Sequence, residues 1–209
     1  MNELTLSELF NHPIINIDKQ SRFSSIRIRK QENVAEHSSI VANISIILSS
    51  YINYLEGSKV IDIKEVAYKS VIHDYAEAYY CDIATDIKYC DDRLKPLLDE
   101  IEENLLKNSL GEFNGLVNDV MNSKDDTIEG CIVSVSDKLH ALFTLIKEFK
   151  LQDIESIKKA VVYCSDQTLK SILYLSKRPE INKSRTALVN IHNSLYELLK
   201  RIKDQDCYV

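Results

Sequence analysis

The scarcity of turn-forming residues is the feature that most restricts how this chain folds. Its 209 residues include only 4 glycines and 3 prolines. Tight β-hairpins depend on residues such as Gly and Pro at fixed turn positions, so a chain this poor in them has few hairpins. The sequence therefore predicts an all-α fold with short connections. At this length we expect a single domain with a substantial core, spanning residues 1–209.

Apolar residues recur at steps of three and four along most of the chain, as on one face of a helix. One such run follows Asn33, an N-cap residue with Glu36 three positions later, and ends before Gly57, which suits a helix C-terminus. Residues 81–90 read as a turn leading into a short helix, and residues 111–127 as partly loop. The predicted helices span about 4–10, 34–55, 63–80, 94–110, 128–149, 154–176 and 182–202.

Charge and cysteine usage exclude several classes of protein. A net charge of −6 argues against a general nucleic-acid binder, which would usually be basic. The five cysteines are scattered and never spaced as CxxC, which indicates reduced thiols and no structural zinc site. We see no signal peptide and no apolar run of the roughly 20 residues that span a bilayer. We therefore expect a cytoplasmic protein without nucleic-acid or membrane partners.

Three potential metal-binding positions lie on the apolar sides of three predicted helices: His37, the pair His73-Asp74, and Asp137. Each has an ordinary explanation, because a lone histidine on such a face is usually a hydrogen-bonded core residue and an aspartate usually faces solvent. Together they form an H…HD…D set of nitrogen and oxygen ligands that suits a divalent transition metal. Glu77 follows His73 by one helical turn on the same face.

Several motifs occur together in one order. They are Arg22-Phe23, Glu32-Asn-Val-Ala-Glu-His37, His73-Asp-Tyr-Ala-Glu77, Asp82 with Thr85, Lys88-Tyr89, and Asp137. With these motifs the sequence resembles the HD-domain metal-dependent phosphohydrolases, and within them the YfbR-type 5′-deoxynucleotidases. The resemblance covers Arg22 to about Leu142. It implies a helical bundle of the HD type, with a metal-site core over about residues 22–149 and C-terminal helices over about 154–202.

The resemblance also implies roles for single residues. One divalent transition-metal ion (Co, Mn, Fe or Zn) would be held by His37, His73, Asp74 and Asp137. Glu77 would be the catalytic carboxylate that orients or activates the attacking water. The substrate-binding residues would be Arg22 and Lys88 at the phosphate, Asp82 at the sugar 3′-hydroxyl, and Phe23 and Thr85. The family has tryptophan where this chain has Phe23, so we expect looser selection of deoxyribose. A homodimer is expected from the same resemblance.

Three functions are compatible with this pattern. The first is hydrolysis of deoxyribonucleoside 5′-monophosphates to nucleoside and phosphate. The second is a (deoxy)nucleoside triphosphate triphosphohydrolase, such as a dATPase releasing triphosphate, in which Arg27, Arg29 and Lys30 serve a longer phosphate chain. The third is a non-catalytic HD module that binds nucleotide. The metal ligands and Glu77 are all present in the sequence, which favours an enzyme.

Overall fold

The computed structural model describes residues 5–23, 26–80, 83, 90–111, 113–152 and 155–204. Within these ranges the regular structure is helical and no strand forms, apart from one isolated antiparallel bridge between Ser21 and Asn33. The all-α prediction is therefore confirmed. A 3-10 helix spans Pro13–Lys19. The α-helices are α1 (Leu6–Asn11), α2 (Val34–Glu56), α3 (Ile63–Ile72), α4 (Glu77–Tyr80), α5 (Leu94–Leu110), α6 (Asn114–Met121), α7 (Ile128–Gln152), α8 (Glu155–Ser176) and α9 (Arg185–Asp204).

Helix α2 begins and ends where the sequence signals predict. The side chain of Asn33 accepts a hydrogen bond from the backbone N–H of Glu36 at 2.8 Å, as an N-cap residue does. At the other end Gly57 adopts φ +72°, a left-handed conformation that glycine takes without steric cost. Its N–H donates to the carbonyl of Asn53 at 3.0 Å, which closes the last turn.

The prediction of one continuous helix over residues 63–80 is wrong, because the observed helix is interrupted. Helix α3 ends at Ile72, a tight turn covers residues 73–76, and α4 begins at Glu77. In the turn the backbone N–H groups reach back three residues rather than four, for example from Tyr75 to Ile72 at 3.0 Å. Ile72 and Ala76 are both buried in one apolar cluster, which fixes the two ends of the turn. His73 and Asp74 therefore lie in a 3-10-like turn and not within a continuous α-helix.

The chain divides into two compact units. The first comprises Met1–Ile40 and Val71–Ser123, and the second comprises Val41–Ser70 and Lys124–Val209. The core of the first unit joins the 73–76 turn to α5 and α6; its buried members are Ile72, Ala76, Leu106, Leu110, Val117 and Val120. In the second unit α7 packs against α8, and α8 packs against α9. The single-domain expectation stays a prediction.

Helix α2 is also long and apolar enough to cross a bilayer by length and composition. One stripe of it is buried within the protein, at steps of three and four residues, as in a helix that packs one face against a core. The fully buried members of this stripe are Val34, His37, Val41, Ser45, Ser49 and Ile52.

Candidate metal centre

The residues that position Arg22 form a short antiparallel pairing ahead of α2. The N–H of Arg22 donates to the carbonyl of Glu32 at 2.9 Å, and the N–H of Val34 donates to the carbonyl of Gln20 at 3.0 Å. These two bonds hold the segment around Arg22 alongside the first residues of α2. As a result the guanidinium of Arg22 is buried against His37 and contacts its Nδ1 atom. Glu32 lies on the same guanidinium, with its Oε2 atom 3.7 Å from the Arg22 nitrogen.

His37, His73 and Asp74 converge in the first unit. The Nε2 atoms of the two histidines are 3.3 Å apart. The Oδ2 atom of Asp74 lies 3.0 Å from the Nε2 atom of His73 and 3.4 Å from that of His37. All three residues are buried, so the cluster takes three polar groups out of water, which is costly unless they are paired or bound to an ion.

These distances fit a metal ion. A metal with ligand bonds of about 2.1 Å separates neighbouring ligand atoms by roughly 3.0 Å in octahedral and 3.4 Å in tetrahedral geometry. The three ligand-atom separations in the cluster fall in that interval. Two imidazoles and one carboxylate are also a donor set that transition metals such as Zn²⁺, Mn²⁺ or Co²⁺ accept. We identify His37, His73 and Asp74 as a candidate buried metal site.

The 73–76 turn explains how adjacent residues supply two of these ligands. On an α-helix neighbouring side chains diverge by 100° and do not face each other. The tighter turn after Ile72 instead brings the His73 ring and the Asp74 carboxylate within hydrogen-bonding distance. Glu77 follows this turn directly and is buried at the start of α4.

Tyr80 lies on α4 one turn after Glu77 and donates its hydroxyl hydrogen to Glu102 of α5. Burial raises the pKa of Tyr80 above its ordinary value, and the negative charges of Glu102, Glu77 and Asp74 raise it further. Tyr80 therefore stays protonated and keeps donating to Glu102. Sequence reasoning gave no role to Tyr80, Glu102 or Glu32. The spacing of Tyr80 from Glu77 is a local signal in the sequence, whereas Glu102 lies 22 residues beyond Tyr80 and no local pattern connects the two.

The remaining predicted site residues are placed as follows. Asp137 lies on α7 in the second unit, where its Oδ2 atom accepts a hydrogen bond from Lys124 at 2.7 Å. Phe23 has its ring 5.2 Å from the guanidinium carbon of Arg22. It also adopts φ +56°, which is unusual for a bulky residue. The predictions for Asp82, Thr85 and Lys88 lie outside the described residues.

The part of the chain that the structure describes has the helical fold of an HD-domain phosphohydrolase and holds a buried cluster of two histidines and one aspartate. The chain belongs to the YfbR-like 5′-deoxynucleotidase family, whose family model matches residues 10–200. A search of curated protein sequences gave no significant match.

Solved structures share the fold over nearly their whole length. An HD-domain phosphohydrolase from Listeria innocua is 22% identical, with a TM-score of 0.65 over 90% of this chain and 98% of the other. A protein from Pyrococcus horikoshii is 20% identical and has a TM-score of 0.65; the match covers 93% of this chain and 99% of the other. The cyanophage S-2L HD phosphohydrolase DatZ, solved with dA and one catalytic Zn²⁺ ion, is 14% identical, with a TM-score of 0.62 over 96% and 99%.

Proposed function

We propose that this protein is a metal-dependent phosphohydrolase that removes the 5′-phosphate from deoxyribonucleoside 5′-monophosphates. The observation that carries the proposal is the convergence of His37, His73 and Asp74 at metal-ligand spacing, in a chain of the YfbR-like family. Asp137 is proposed as the fourth ligand, from α7.

A divalent ion held by His37, His73 and Asp74 would act as a Lewis acid and offset negative charge on the phosphoryl group. Protein cations add to that effect, because a phosphate monoester carries close to two negative charges near neutral pH. Arg22 is suited to this task, since its planar guanidinium can bind two phosphate oxygens at once. Its position against His37 places its charge beside the candidate metal ligands. Lys88 is proposed as the second phosphate-binding cation.

Glu77 is proposed to orient the attacking water and to take its proton. Its side chain is buried at the start of α4, directly after the turn that carries His73 and Asp74, so one short stretch of backbone holds the proposed ligands and the proposed base. The N–H of Glu77 donates to the carbonyl of Asp74 at 3.0 Å, which fixes the spacing between the ligand and the base. Asp82 and Thr85 are proposed to bind the sugar, together with Phe23.

A substrate panel tests the proposal. Purified protein is incubated with each dNMP, NMP and dNTP in the presence of Mn²⁺, Co²⁺ or Zn²⁺, and the products are separated by ion-exchange chromatography. We expect inorganic phosphate and nucleoside from dNMP, and no turnover after chelation. Release of tripolyphosphate from dNTP without turnover of dNMP would assign the triphosphohydrolase alternative. A protein purified without chelator that carries no metal and turns over no nucleotide would instead be a binding module.

A further inference from the structure

A cleft in the second unit, between α7 and α8, has the features of an anion-binding site. Its volume is about 400 Å³. It is lined by Lys124, Asp125, Asp126, Cys131, Ser134, Lys170, Ser171 and Tyr174, none of which belongs to the proposed catalytic set. We call this the α7–α8 cleft.

Lys138 polarises two hydroxyl groups of the cleft, those of Ser134 and Ser171. Lys138 is partly buried and donates to the Oγ atom of Ser134 at 2.7 Å and to that of Ser171 at 2.9 Å. Each serine therefore accepts a hydrogen bond from an ammonium group and still has its own O–H to donate. Neither hydroxyl hydrogen has an acceptor within the described part of the chain. Both serines line the cleft, so an anion there would receive two donors strengthened by the charge of Lys138.

The acidic residues of the cleft are engaged with other partners. Asp125 accepts from Lys69 at 2.9 Å. Asp126 accepts from the hydroxyl of Tyr174 at 2.6 Å and from Arg178 at 3.3 Å. Asp125 is therefore paired with a lysine outside the cleft, whereas Asp126 is bonded to Arg178 and to the neutral hydroxyl of Tyr174, which itself lines the cleft.

The cationic residues are less completely offset. Lys124 donates to Asp137 at 2.7 Å, whereas Lys170 makes no ion pair with any residue that the structure describes. Lys138 donates to the two neutral hydroxyls. The cleft therefore presents the exposed ammonium of Lys170 and two available O–H donors, whose oxygens are bonded to the partly buried ammonium of Lys138. This set matches the several oxygen acceptors and the negative charge of a phosphate group better than a carboxylate, which has only two oxygens.

We propose that the α7–α8 cleft binds the phosphate group of a small molecule, either inorganic phosphate or a nucleoside monophosphate. The volume is sufficient for more than a phosphate ion, and the exposed ring of Tyr174 offers a face on which a base could stack. No residue that lines this cleft is a proposed metal ligand, but Lys124 of the cleft donates to Asp137, the proposed fourth ligand. The proposed binding of phosphate in the cleft does not depend on the proposed reaction.

Calorimetric titration of the full chain after removal of divalent metal by a chelator tests the proposal. Chelation prevents turnover and separates this binding from any phosphate binding that needs the metal centre. The probes are inorganic phosphate, dAMP and deoxyadenosine. We expect saturable binding of phosphate or dAMP, and loss of one charge-assisted hydrogen bond in Lys170→Gln or Ser171→Ala should weaken it about tenfold. Lys159→Gln, an exposed lysine on the same helix but outside the cleft, is the matched control and should bind as the wild type does.

The probes also separate the two sources of phosphate. Tighter binding of dAMP than of inorganic phosphate would identify a nucleotide as the ligand, and equal binding would identify phosphate itself. If Ser171→Ala fails to fold, as judged by circular dichroism, Ser134→Ala and the exposed Lys170→Gln carry the test. The proposal is overturned if the metal-free protein binds neither phosphate probe, if deoxyadenosine binds as tightly as dAMP, or if the cleft variants bind as the control does.

Discussion

Glu56 is expected to contribute about 3 kcal/mol to stability through a single set of hydrogen bonds. Its carboxylate, at the end of α2, accepts backbone N–H groups from Asn182 at 2.9 Å, Lys183 at 3.2 Å and Ser184 at 2.9 Å. It also accepts the hydroxyl of Ser184 at 2.6 Å. These donors directly precede α9, so Glu56 acts as a cap for that helix from a position far away in sequence.

The magnitude follows from the pKa of the carboxyl group. The hydrogen bond from the Ser184 hydroxyl, followed by the backbone N–H of Ser184, lowers the pKa of Glu56 from its ordinary 4.5 to about 2. Each pKa unit is about 1.4 kcal/mol, so the ionised form gains about 3 kcal/mol on folding. Because the pKa is lowered in the folded state, this stabilisation is fully present above pH 4.5. It is lost as the pH falls from about 4.5 to about 2.

The test is the substitution Glu56→Gln, which keeps the size of the side chain and removes its charge. Urea unfolding followed by circular dichroism should show a loss of about 3 kcal/mol at pH 7, and the difference from wild type should shrink at pH 4 and again at pH 3. Glu197→Gln, an exposed glutamate on α9, is the matched control and should change stability by less than about 0.5 kcal/mol. A loss below about 1 kcal/mol at pH 7, or one that does not vary with pH, would refute the reasoning.

Four further substitutions test the site and the fold. Asp137→Asn should abolish metal retention and turnover, because an amide is a poor substitute for an anionic ligand. Glu77→Ala should keep its metal while turnover falls by about 10²-fold or more, as expected when a proton-transfer group is lost. Phe23→Trp should raise the ratio of kcat/KM for dAMP over AMP, because an indole leaves less room beside the sugar than a phenyl ring. Gly130→Ala should destabilise the protein by about 1–3 kcal/mol, because the added methyl carbon would lie 2.7 Å from the backbone nitrogen of Asp125 and closer still to its carbonyl oxygen.

Each of these substitutions has a control or a contradicting outcome. The exposed Asp166→Asn should retain metal, and equal metal content in Asp137→Asn would remove Asp137 from the ligand set. Loss of metal from Glu77→Ala would make Glu77 a ligand rather than a base. An unchanged dAMP to AMP ratio would mean that the ring of Phe23 does not contact the sugar. Gly115→Ala, where nothing lies within 4 Å of an added carbon, should leave stability unchanged or raise it by up to about 1 kcal/mol.

The helices were predictable where local signals decide them. Asn33 and Gly57 delimit α2 as their residue types indicate. The start of α9 was predicted at about residue 182, but it begins at Arg185, because the preceding backbone N–H groups bond to Glu56 instead of to a local cap. Glu56 lies 126 residues before Asn182, so no local sequence pattern predicts this contact.

The site was predictable in its residue types and not in its backbone. The sequence predicts His37, His73 and Asp74 as ligands because ionisable groups on an apolar face need a partner, and the structure brings these three together. The break after Ile72 was not foreseen, because the apolar periodicity continues through it. The packing of Ile72 and Ala76 in one cluster decides between a continuous helix and the turn. The roles of these residues, the dimer and the cytoplasmic location stay predictions.

The backbone at Phe23 supports the proposal that this residue and Arg22 act at the substrate. A phenylalanine with φ +56° lowers the stability of the folded state by about 1–3 kcal/mol, and a glycine at this position would relieve the strain. The conformation is enforced from the N-terminal side by the pairing of Arg22 with Glu32, and the carbonyl of Phe23 accepts from the N–H of Ile26 at 3.0 Å. Strain of this kind persists where a side chain must be held in one place. Here the strained backbone orients a ring next to a buried arginine that contacts a candidate metal ligand.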